Sequence, residues 1–141
     1  MAVETIDTGS EPETAAAGER LAATLASGDV VLLSGQLGAG KTAFVRGMAL
    51  GLGASPDDVS SPTFTLIQEY GGGRTTLHHV DLYRLQAAEA ADLGLDELVS
   101  GGDIVAIEWA ERWAERPDDA IDVRIEDVGG DQRRIRIDRP A

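Results

Sequence analysis

The chain has 141 residues, of which 43% are hydrophobic and 26% charged, and these proportions predict a single soluble globular domain spanning residues 1–141. The absence of cysteine excludes disulfides and cysteine-ligated zinc or iron–sulfur centres. The net charge of −13 argues against direct binding of nucleic acid, because phosphate contacts require clustered lysine or arginine.

No apolar stretch is long enough to span a bilayer, and the acidic, alanine-rich N-terminus lacks the pattern of a signal peptide. We therefore expect a cytoplasmic protein that makes no membrane contact. The basic cluster of Arg133, Arg134, Arg136 and Arg139 is interpreted as the exposed face of an edge strand rather than as a nucleic-acid site.

Strand and helix patterns alternate along the chain, which is typical of an α/β protein. Ser10 and Glu13 have the spacing of a capping box, with a proline early in the helix that follows. In chain order, the predicted elements are an edge strand at Val3–Thr8, a helix from Ser10 to about Ser27, a strand at Val30–Leu33, a helix stopped by Gly51–Gly53, a hairpin of Leu66–Tyr70 and Thr75–Leu82, a helix at Gln86–Val99, a strand at Asp103–Glu108, a short helix at Trp109–Glu115 and a hairpin of Ile121–Glu126 and Arg134–Asp138.

The only lysine of the chain, Lys41, lies in an octet that matches the complete Walker A motif G-x-x-x-x-G-K-[ST], between a predicted strand and a predicted helix. Such a loop turns backbone N–H groups toward phosphate oxygens, and the helix adds the positive end of its dipole. Lys41 is expected to reach the β- and γ-phosphates, and the Thr42 hydroxyl to bind Mg²⁺. The expected contacts to a nucleoside triphosphate come from Gly35, Gln36, Leu37, Gly38, Ala39, Gly40, Lys41, Thr42 and Ala43. The predicted fold is thus an α/β, P-loop NTPase-like three-layer fold with a mixed, mainly parallel sheet plus antiparallel hairpins.

Two acids occupy the carboxyl ends of predicted strands, the edge at which open α/β sheets bind ligands. Asp81 ends one strand and Glu108 ends another, and either could serve beside Mg²⁺ in hydrolysis. Spacing leaves open which acid binds the metal and which orients the attacking water. The alternative for both is a solvated carboxylate at the end of a strand.

Several other residues have two interpretations. Ser60–Thr65 is either a switch loop that senses the γ-phosphate or a strand-entry loop with a proline turn. Arg84 could supply positive charge to the transition state in cis, and a partner could supply it instead. The chain lacks asparagine, so the guanine-reading N-K-x-D signature is absent and ATP is favoured.

The adjacent His78 and His79 face opposite sides of a strand, so they cannot form a metal pair and are interpreted mainly as strand residues. Trp109 and Trp113 have the i, i+4 spacing typical of packing on a helix. Trp109 directly follows Glu108, and we expect it to border the nucleotide.

Taken together, the motifs resemble those of the bacterial TsaE (YjeE) ATPases in order and approximate spacing, over roughly residues 10–125. The segments that carry the resemblance are Gly35–Thr42, Ser61–Leu66, Glu69–Tyr70, His79–Leu85 and Ile107–Trp109.

The resemblance implies an ATPase that uses ATP and Mg²⁺ and supports the synthesis of threonylcarbamoyladenosine beside the anticodon of tRNA. It also implies the TsaB and TsaD proteins as partners, with TsaD performing the transfer and tRNA reached only through the partners. The residues carried over are Lys41 for phosphate, Thr42 for Mg²⁺, Asp81 and Glu108 for Mg²⁺ and water positioning, Thr63 in the switch-like loop and Trp109 beside the site.

Two other functions are compatible with a Walker A motif. One is a small-molecule kinase, against which stands the lack of an evident lid with paired arginines. The other is a non-hydrolytic nucleotide-sensing module, in which Ser60–Thr65 would act as the switch.

Overall fold

The computed structural model describes residues 2–35, 40–54, 67–71, 75–83, 85–86, 89, 93–114 and 116–140. The elements within these ranges are β1 (Ala2–Thr8), α1 (Glu11–Ala23), β2 (Val30–Ser34), α2 (Lys41–Gly51), β3 (Ile67–Tyr70), β4 (Leu77–Asp81), α3 (Leu95–Val99), β5 (Ile104–Glu108), a 3₁₀ turn (Ala110–Arg112), β6 (Ile121–Gly129) and β7 (Gln132–Arg139). None of the helices in these ranges is long and apolar enough to cross a membrane.

The strands form one seven-stranded sheet in the order β1-β7-β6-β2-β5-β4-β3. The four strands β6, β2, β5 and β4 run parallel to one another. The flanking pairs β1–β7, β7–β6 and β3–β4 are antiparallel. The predicted mixed sheet with antiparallel hairpins is therefore confirmed, and its parallel middle directs several carboxyl ends to one edge.

Apolar layers cover both faces of the sheet, as the continuous burial of β5 requires. On one face, α1 and α2 contribute buried side chains such as Leu21 and Phe44. On the other face, Leu95 of α3 and Trp113 pack against the central strands. The middle strands therefore emerge at their carboxyl edge between two packed layers.

The start of α1 follows the predicted capping pattern. Ser10 Oγ accepts a hydrogen bond from the Glu13 N–H at 3.3 Å, and the Glu13 carboxylate accepts one from the Gly9 N–H at 2.9 Å. The helix ends at Ala23, earlier than the expected Ser27, because Thr24 caps it.

Two glycines allow α1 and α2 to cross closely. A Cβ added at Gly18 would lie 2.1 Å from the carbonyl oxygen of Phe44, and one at Gly47 would lie 1.7 Å from that of Ala15. Non-bonded atoms do not approach so closely, so only glycine fits at either position. The crossing holds α2 against α1 and thereby locates the N-terminus of α2, where Lys41 lies.

The prediction of a continuous helix over residues 86–99 is wrong. Gly94 adopts a left-handed φ of 81°, and the α-helix that follows it spans only Leu95–Val99. The predicted short helix at Trp109–Glu115 is confirmed only in part, since the chain forms a 3₁₀ helix limited to Ala110–Arg112 after Trp109. In both places a left-handed residue interrupts the helical hydrogen bonds, and apolar periodicity does not reveal such a residue.

The prediction that the arginine-rich segment is an edge strand is also wrong. β7 lies between β1 and β6, and β1 forms the edge. Arg134 of β7 is exposed and pairs with Asp7 of β1 at 3.0 Å, whereas the side chain of Arg133 is only 16% exposed. The cause is a pairing between the two ends of the chain, which local sequence patterns do not show.

Candidate nucleotide-binding site

The sheet register brings the two candidate carboxylates together at the carboxyl edge. Leu33 of β2 lies opposite Glu108 of β5, and Glu108 lies opposite Asp81 of β4. Glu108 therefore lies between Asp81 and the end of the strand that precedes the Walker A sequence. Leu77 and Ala106, at even spacing from the two acids, pack in the cluster that includes α2, which places both acids on that face.

Lys41 is the first residue of α2, and its side chain is almost fully buried. Its Nζ donates a hydrogen bond to the carbonyl oxygen of Gly35 at 2.8 Å and lies 3.8 Å from Glu108 Oε1. Gly40 precedes it with a φ of 102°, a conformation that suits glycine. Because a buried ammonium needs oxygen partners, Lys41 is held between the ends of β2 and β5.

His79 contacts the second oxygen of Glu108. Its Nε2 lies 2.5 Å from Glu108 Oε2, and the imidazole is fully buried. Lys41 and His79 thus engage different oxygens of one carboxylate. This arrangement restricts the orientation of Glu108 more than either contact would alone.

Asp81 lies beside this pair with an altered protonation equilibrium. Burial raises the pKa of Asp81 above its usual value of 3.8, while a hydrogen bond from the Tyr83 backbone N–H at 2.9 Å opposes that shift. The charge of Glu108 raises the pKa further, and His79 and Lys41 lower it. Two buried carboxylates therefore lie near a single lysine, an excess of negative charge that favours an additional cation.

Trp109 lies over the lysine. The centroid of its ring is 4.6 Å from Lys41 Nζ, 5.5 Å from the guanidinium carbon of Arg112 and 5.0 Å from the ring centroid of Tyr83. These are cation–π and aromatic contacts of ordinary length. Trp109 therefore links the lysine to the segments that follow β4 and β5.

The backbone of Trp109 is unusual. Its φ is 61°, and within the described ranges it is the one non-glycine residue with a positive φ. A residue that continued β5 would point away from Glu108, whereas the left-handed conformation places this ring beside Lys41. Such a conformation costs about 1–3 kcal/mol and tends to persist where function requires it.

The donor set fits Mg²⁺ bound together with a nucleotide. Mg²⁺ in proteins is commonly held by one or two carboxylates together with phosphate oxygens and water. Asp81 and Glu108 supply two carboxylates, and Thr42 lies in the first turn of α2 beside Lys41. Among the described residues, no group of three His, Cys, Asp or Glu side chains forms a metal site of its own.

A cavity of about 350 Å³ opens near the start of α2. It is lined by Asp7, Thr8, Gly9, Val128, Gln132, Arg133 and Arg134. A Cβ added at Gly40 would lie 3.6 Å from Thr14 Cγ2 and 3.9 Å from Arg133 Nε, and the hydroxyls of Thr8 and Thr14 are 2.8 Å apart. Arg133, which lines the cavity, therefore lies close to Gly40 at the start of α2.

Part of the predicted site lies outside the described residues, including Ser60–Thr65 and Arg84. The individually predicted nucleotide contacts that fall there are Gln36, Leu37, Gly38, Ala39 and Thr63. The remaining site residues, Gly35, Gly40, Lys41, Thr42, Ala43, Asp81, Glu108 and Trp109, lie at the carboxyl edge of the sheet or around the first turn of α2. Their roles in binding and catalysis stay predictions.

No role at the site was predicted from the sequence for His79, Arg112 or the buried Thr8 and Thr14. The alternation of strand residues provides a signal for His79, because it shares a face with Asp81 two residues later. Arg112 had no such signal, since its Nη1 bond to the carbonyl oxygen of Leu85 at 2.9 Å joins two separate segments.

The fold and the site define an α/β protein with a Walker A sequence beside two buried carboxylates at the carboxyl edge of a sheet that is parallel in its middle. The family model described as "Threonylcarbamoyl adenosine biosynthesis protein TsaE" matches residues 8–135, and the chain belongs to this family. The predicted family is thereby confirmed.

Two relatives and one solved structure illustrate the match. The chain is 44% identical over 124 residues to the tRNA threonylcarbamoyladenosine biosynthesis protein TsaE of Bacillus subtilis, covering 87% of this chain and 77% of that protein. It is 42% identical over 130 residues to the TsaE protein of Treponema pallidum, covering 91% of this chain and 95% of the relative. The crystal structure of Bacillus subtilis YdiB is similar, with a TM-score of 0.81 and 36% identity over 96% of this chain and 84% of that one.

Proposed function

We propose that this protein is a Mg²⁺-dependent ATPase that supports threonylcarbamoyladenosine synthesis on tRNA by acting on a TsaB–TsaD partner complex. Membership of the TsaE family supports the place in tRNA modification. The observation that carries the ATPase proposal is the buried contact of the Walker A lysine, Lys41, with Glu108, with Asp81 alongside.

The side chains have distinct parts in this proposal. Lys41 exchanges its bond to the Gly35 carbonyl for the β- and γ-phosphate oxygens, since phosphoryl transfer depends on stabilising charge there. Bound Mg²⁺ would neutralise charge on the same phosphates. Asp81 and Glu108 would hold the metal and orient the attacking water, and Thr42 would add a hydroxyl ligand. Trp109 keeps water away from Lys41, which strengthens its attraction to phosphate.

The base and sugar of the nucleotide are proposed to occupy the cavity near the start of α2. Its volume of about 350 Å³ lies in the range of small-molecule sites. Arg133 Nη1 bonds the carbonyl oxygen of Gly130 at 2.8 Å and the carboxylate of Asp127 at 3.2 Å, so its guanidinium is held as a planar surface. A planar guanidinium suits stacking against a base.

Replacing the lysine tests the phosphate contact. Lys41→Ala is expected to lose ATP binding in calorimetry and hydrolysis in a phosphate-release assay, because the buried cation opposite the phosphates is gone. Arg46→Ala, which removes another cation of α2, is the matched control and should retain both. Full ATP affinity and hydrolysis in Lys41→Ala would contradict the ATPase proposal.

Partner dependence is tested by measuring ATP hydrolysis of the protein alone and with its own TsaB–TsaD pair. The pair should stimulate the wild-type protein and leave Glu108→Ala inactive. If the modification instead continued through repeated turnovers with a non-hydrolysable ATP analogue, the nucleotide-sensing function would replace the ATPase. A phosphorylated metabolite among the products would favour the kinase.

The position of the base is tested with Arg133→Ala. This change should weaken binding of ATP while leaving the affinity for inorganic triphosphate unchanged, because only the former contains a base. Arg136→Ala, on the exposed side of β7, is the control. An equal loss for both ligands would place Arg133 at the phosphates instead.

A further inference from the structure

We propose that His79 is a positioning residue that fixes the carboxylate of Glu108 for hydrolysis, an inference that rests on the ATPase function proposed above. It is carried by three observations. His79 is fully buried, its Nε2 lies 2.5 Å from Glu108 Oε2, and the other oxygen of that carboxylate faces Lys41.

The environment of the imidazole determines which nitrogen holds its proton. Nδ1 of His79 is buried and has no hydrogen-bond partner among the described residues. An ionised carboxylate oxygen only accepts hydrogen bonds, so the nitrogen that faces Glu108 Oε2 has to donate. The proton therefore belongs on Nε2, where it is donated to Glu108 Oε2.

This bond also governs the distance between Glu108 and the lysine. Glu108 Oε1 and Lys41 Nζ are 3.8 Å apart, which is longer than a hydrogen bond. Without the contact to His79, the carboxylate would be free to rotate toward Lys41 and form a direct ion pair. The lysine would then have to leave that ion pair to reach a phosphate, and Glu108 would be turned from the position it needs for water or metal.

The neighbouring His78 provides a matched control within the same strand. It faces the other side of the sheet, where its Nε2 lies 2.9 Å from Asp103 and its Nδ1 lies 3.5 Å from Glu69. It is thus also a histidine bound to carboxylates, but it has no contact with Lys41, Asp81 or Glu108 within the described residues.

The test compares ATP hydrolysis by His79→Leu, His79→Asn and His79→Gln with that by His78→Gln. The amide nitrogen of glutamine reaches the place of Nε2, whereas that of asparagine is too short and leucine has none. His79→Leu and His79→Asn should lower kcat by roughly 10- to 100-fold, the range seen when a residue supporting a metal ligand is lost. The KM for ATP should stay within about threefold, because Lys41 still binds phosphate. His79→Gln and His78→Gln should keep most of kcat.

A second measurement is independent of activity. Imidazole nitrogen NMR of the nucleotide-free protein should show the His79 proton on Nε2, with a hydrogen-bonded shift that disappears in Glu108→Leu. Melting temperatures of all variants identify any that fail to fold.

The outcomes separate the two proposals. Wild-type kcat in a folded His79→Leu variant, or a proton on Nδ1, overturns the positioning role while leaving the ATPase intact. Unfolding of every His79 variant also overturns it, in favour of a purely structural role. An intact Nε2 bond in a wild-type protein that hydrolyses no ATP, alone or with its partners, overturns the ATPase and the positioning role together.

Discussion

The adjacent histidines of β4 provide two versions of the same contact. His79 and Glu108 have side chains that are 0% and 6% exposed, and Lys41 lies beside them. His78 contacts Asp103, whose side chain is 41% exposed, and Glu69, which is 68% exposed. The first cluster is closed and lies at the carboxyl edge of the sheet. In the second, on the opposite face, His78 is buried as well, but both of its acidic partners are open to water.

The difference shows that residue type alone does not make a site. Charges attract and repel more strongly where water is excluded. The contacts of Glu108 therefore fix the orientation of its carboxylate, whereas water and salt weaken the attraction between Asp103 and His78. Position contributes as well, because only the first cluster adjoins the Walker A lysine. We therefore expect changes at the closed cluster to affect chemistry, and changes at the open cluster to have small effects on stability.

The largest expected difference is in ATP hydrolysis, between variants of Glu108 at the end of β5 and of Asp103 just before β5 begins. Glu108→Gln should lower ATP hydrolysis by about 100-fold or more, because the variant loses the negative charge that we propose holds the metal and orients the attacking water. Asp103→Asn is the control and should hydrolyse ATP at close to the wild-type rate. Phosphate release in the presence of the partner proteins measures both, and an equal loss in the two variants would break the comparison.

The next effect concerns stability. In the absence of nucleotide, Asp81→Asn should increase the free energy of unfolding at pH 7 by about 1 kcal/mol while impairing hydrolysis, as often occurs where function requires a buried charge. The amide oxygen can still accept the bond from the Tyr83 N–H. Asp103→Asn, at an exposed acid, should show no such gain.

The stability gained by Asp81→Asn should depend on pH, in a direction set by the pKa of Asp81. The pKa of Asp81 is higher in the folded protein than its usual value, so the ionised carboxylate opposes folding at pH 7. That cost is lost as the pH falls through the folded-state pKa toward 3.8. The advantage of Asp81→Asn in denaturant titrations should therefore shrink with falling pH, and an advantage that grew on acidification would contradict the pKa direction.

A smaller effect is expected at the ring over the lysine. Trp109→Leu should weaken ATP binding by roughly threefold, in line with the low end of cation–π energies at a partly buried ring. Trp109→Phe keeps an aromatic face, so its ATP affinity in calorimetry should lie between those of the wild type and Trp109→Leu. Unchanged affinity in Trp109→Leu would mean that the ring does not border the nucleotide.

The smallest effect belongs to the open cluster. A double-mutant cycle with His78→Ala and Asp103→Ala should give a coupling free energy of unfolding of about 0.5 kcal/mol or less, because the Asp103 side chain is 41% exposed and water screens its attraction to His78. Added salt should reduce it further. A coupling several times larger would show that the two clusters differ less than their exposure suggests.

Much of the site could be predicted from local pattern. The Walker A octet, the apolar strands ending at Asp81 and Glu108, and the placement of Trp109 next to Glu108 are all visible along the chain. The interrupted helix at Gly94 and the left-handed Trp109 were not predicted, because a single backbone conformation leaves little trace in apolar periodicity. The interior position of β7 was missed because its neighbour β1 lies at the far end of the chain.

The sequence by itself determined the strands and the two long helices, the likeness to the TsaE family and the residues able to bind phosphate, because these depend on periodicity and on chemistry at short spacing. Tertiary structure decided the neighbours of those residues. Strand order placed β5 between β2 and β4, which brought Lys41, Glu108 and His79 together, while His78 lies on the opposite face of the sheet. Pairing between distant segments depends on burying the whole sheet at once, so no single segment contains that information.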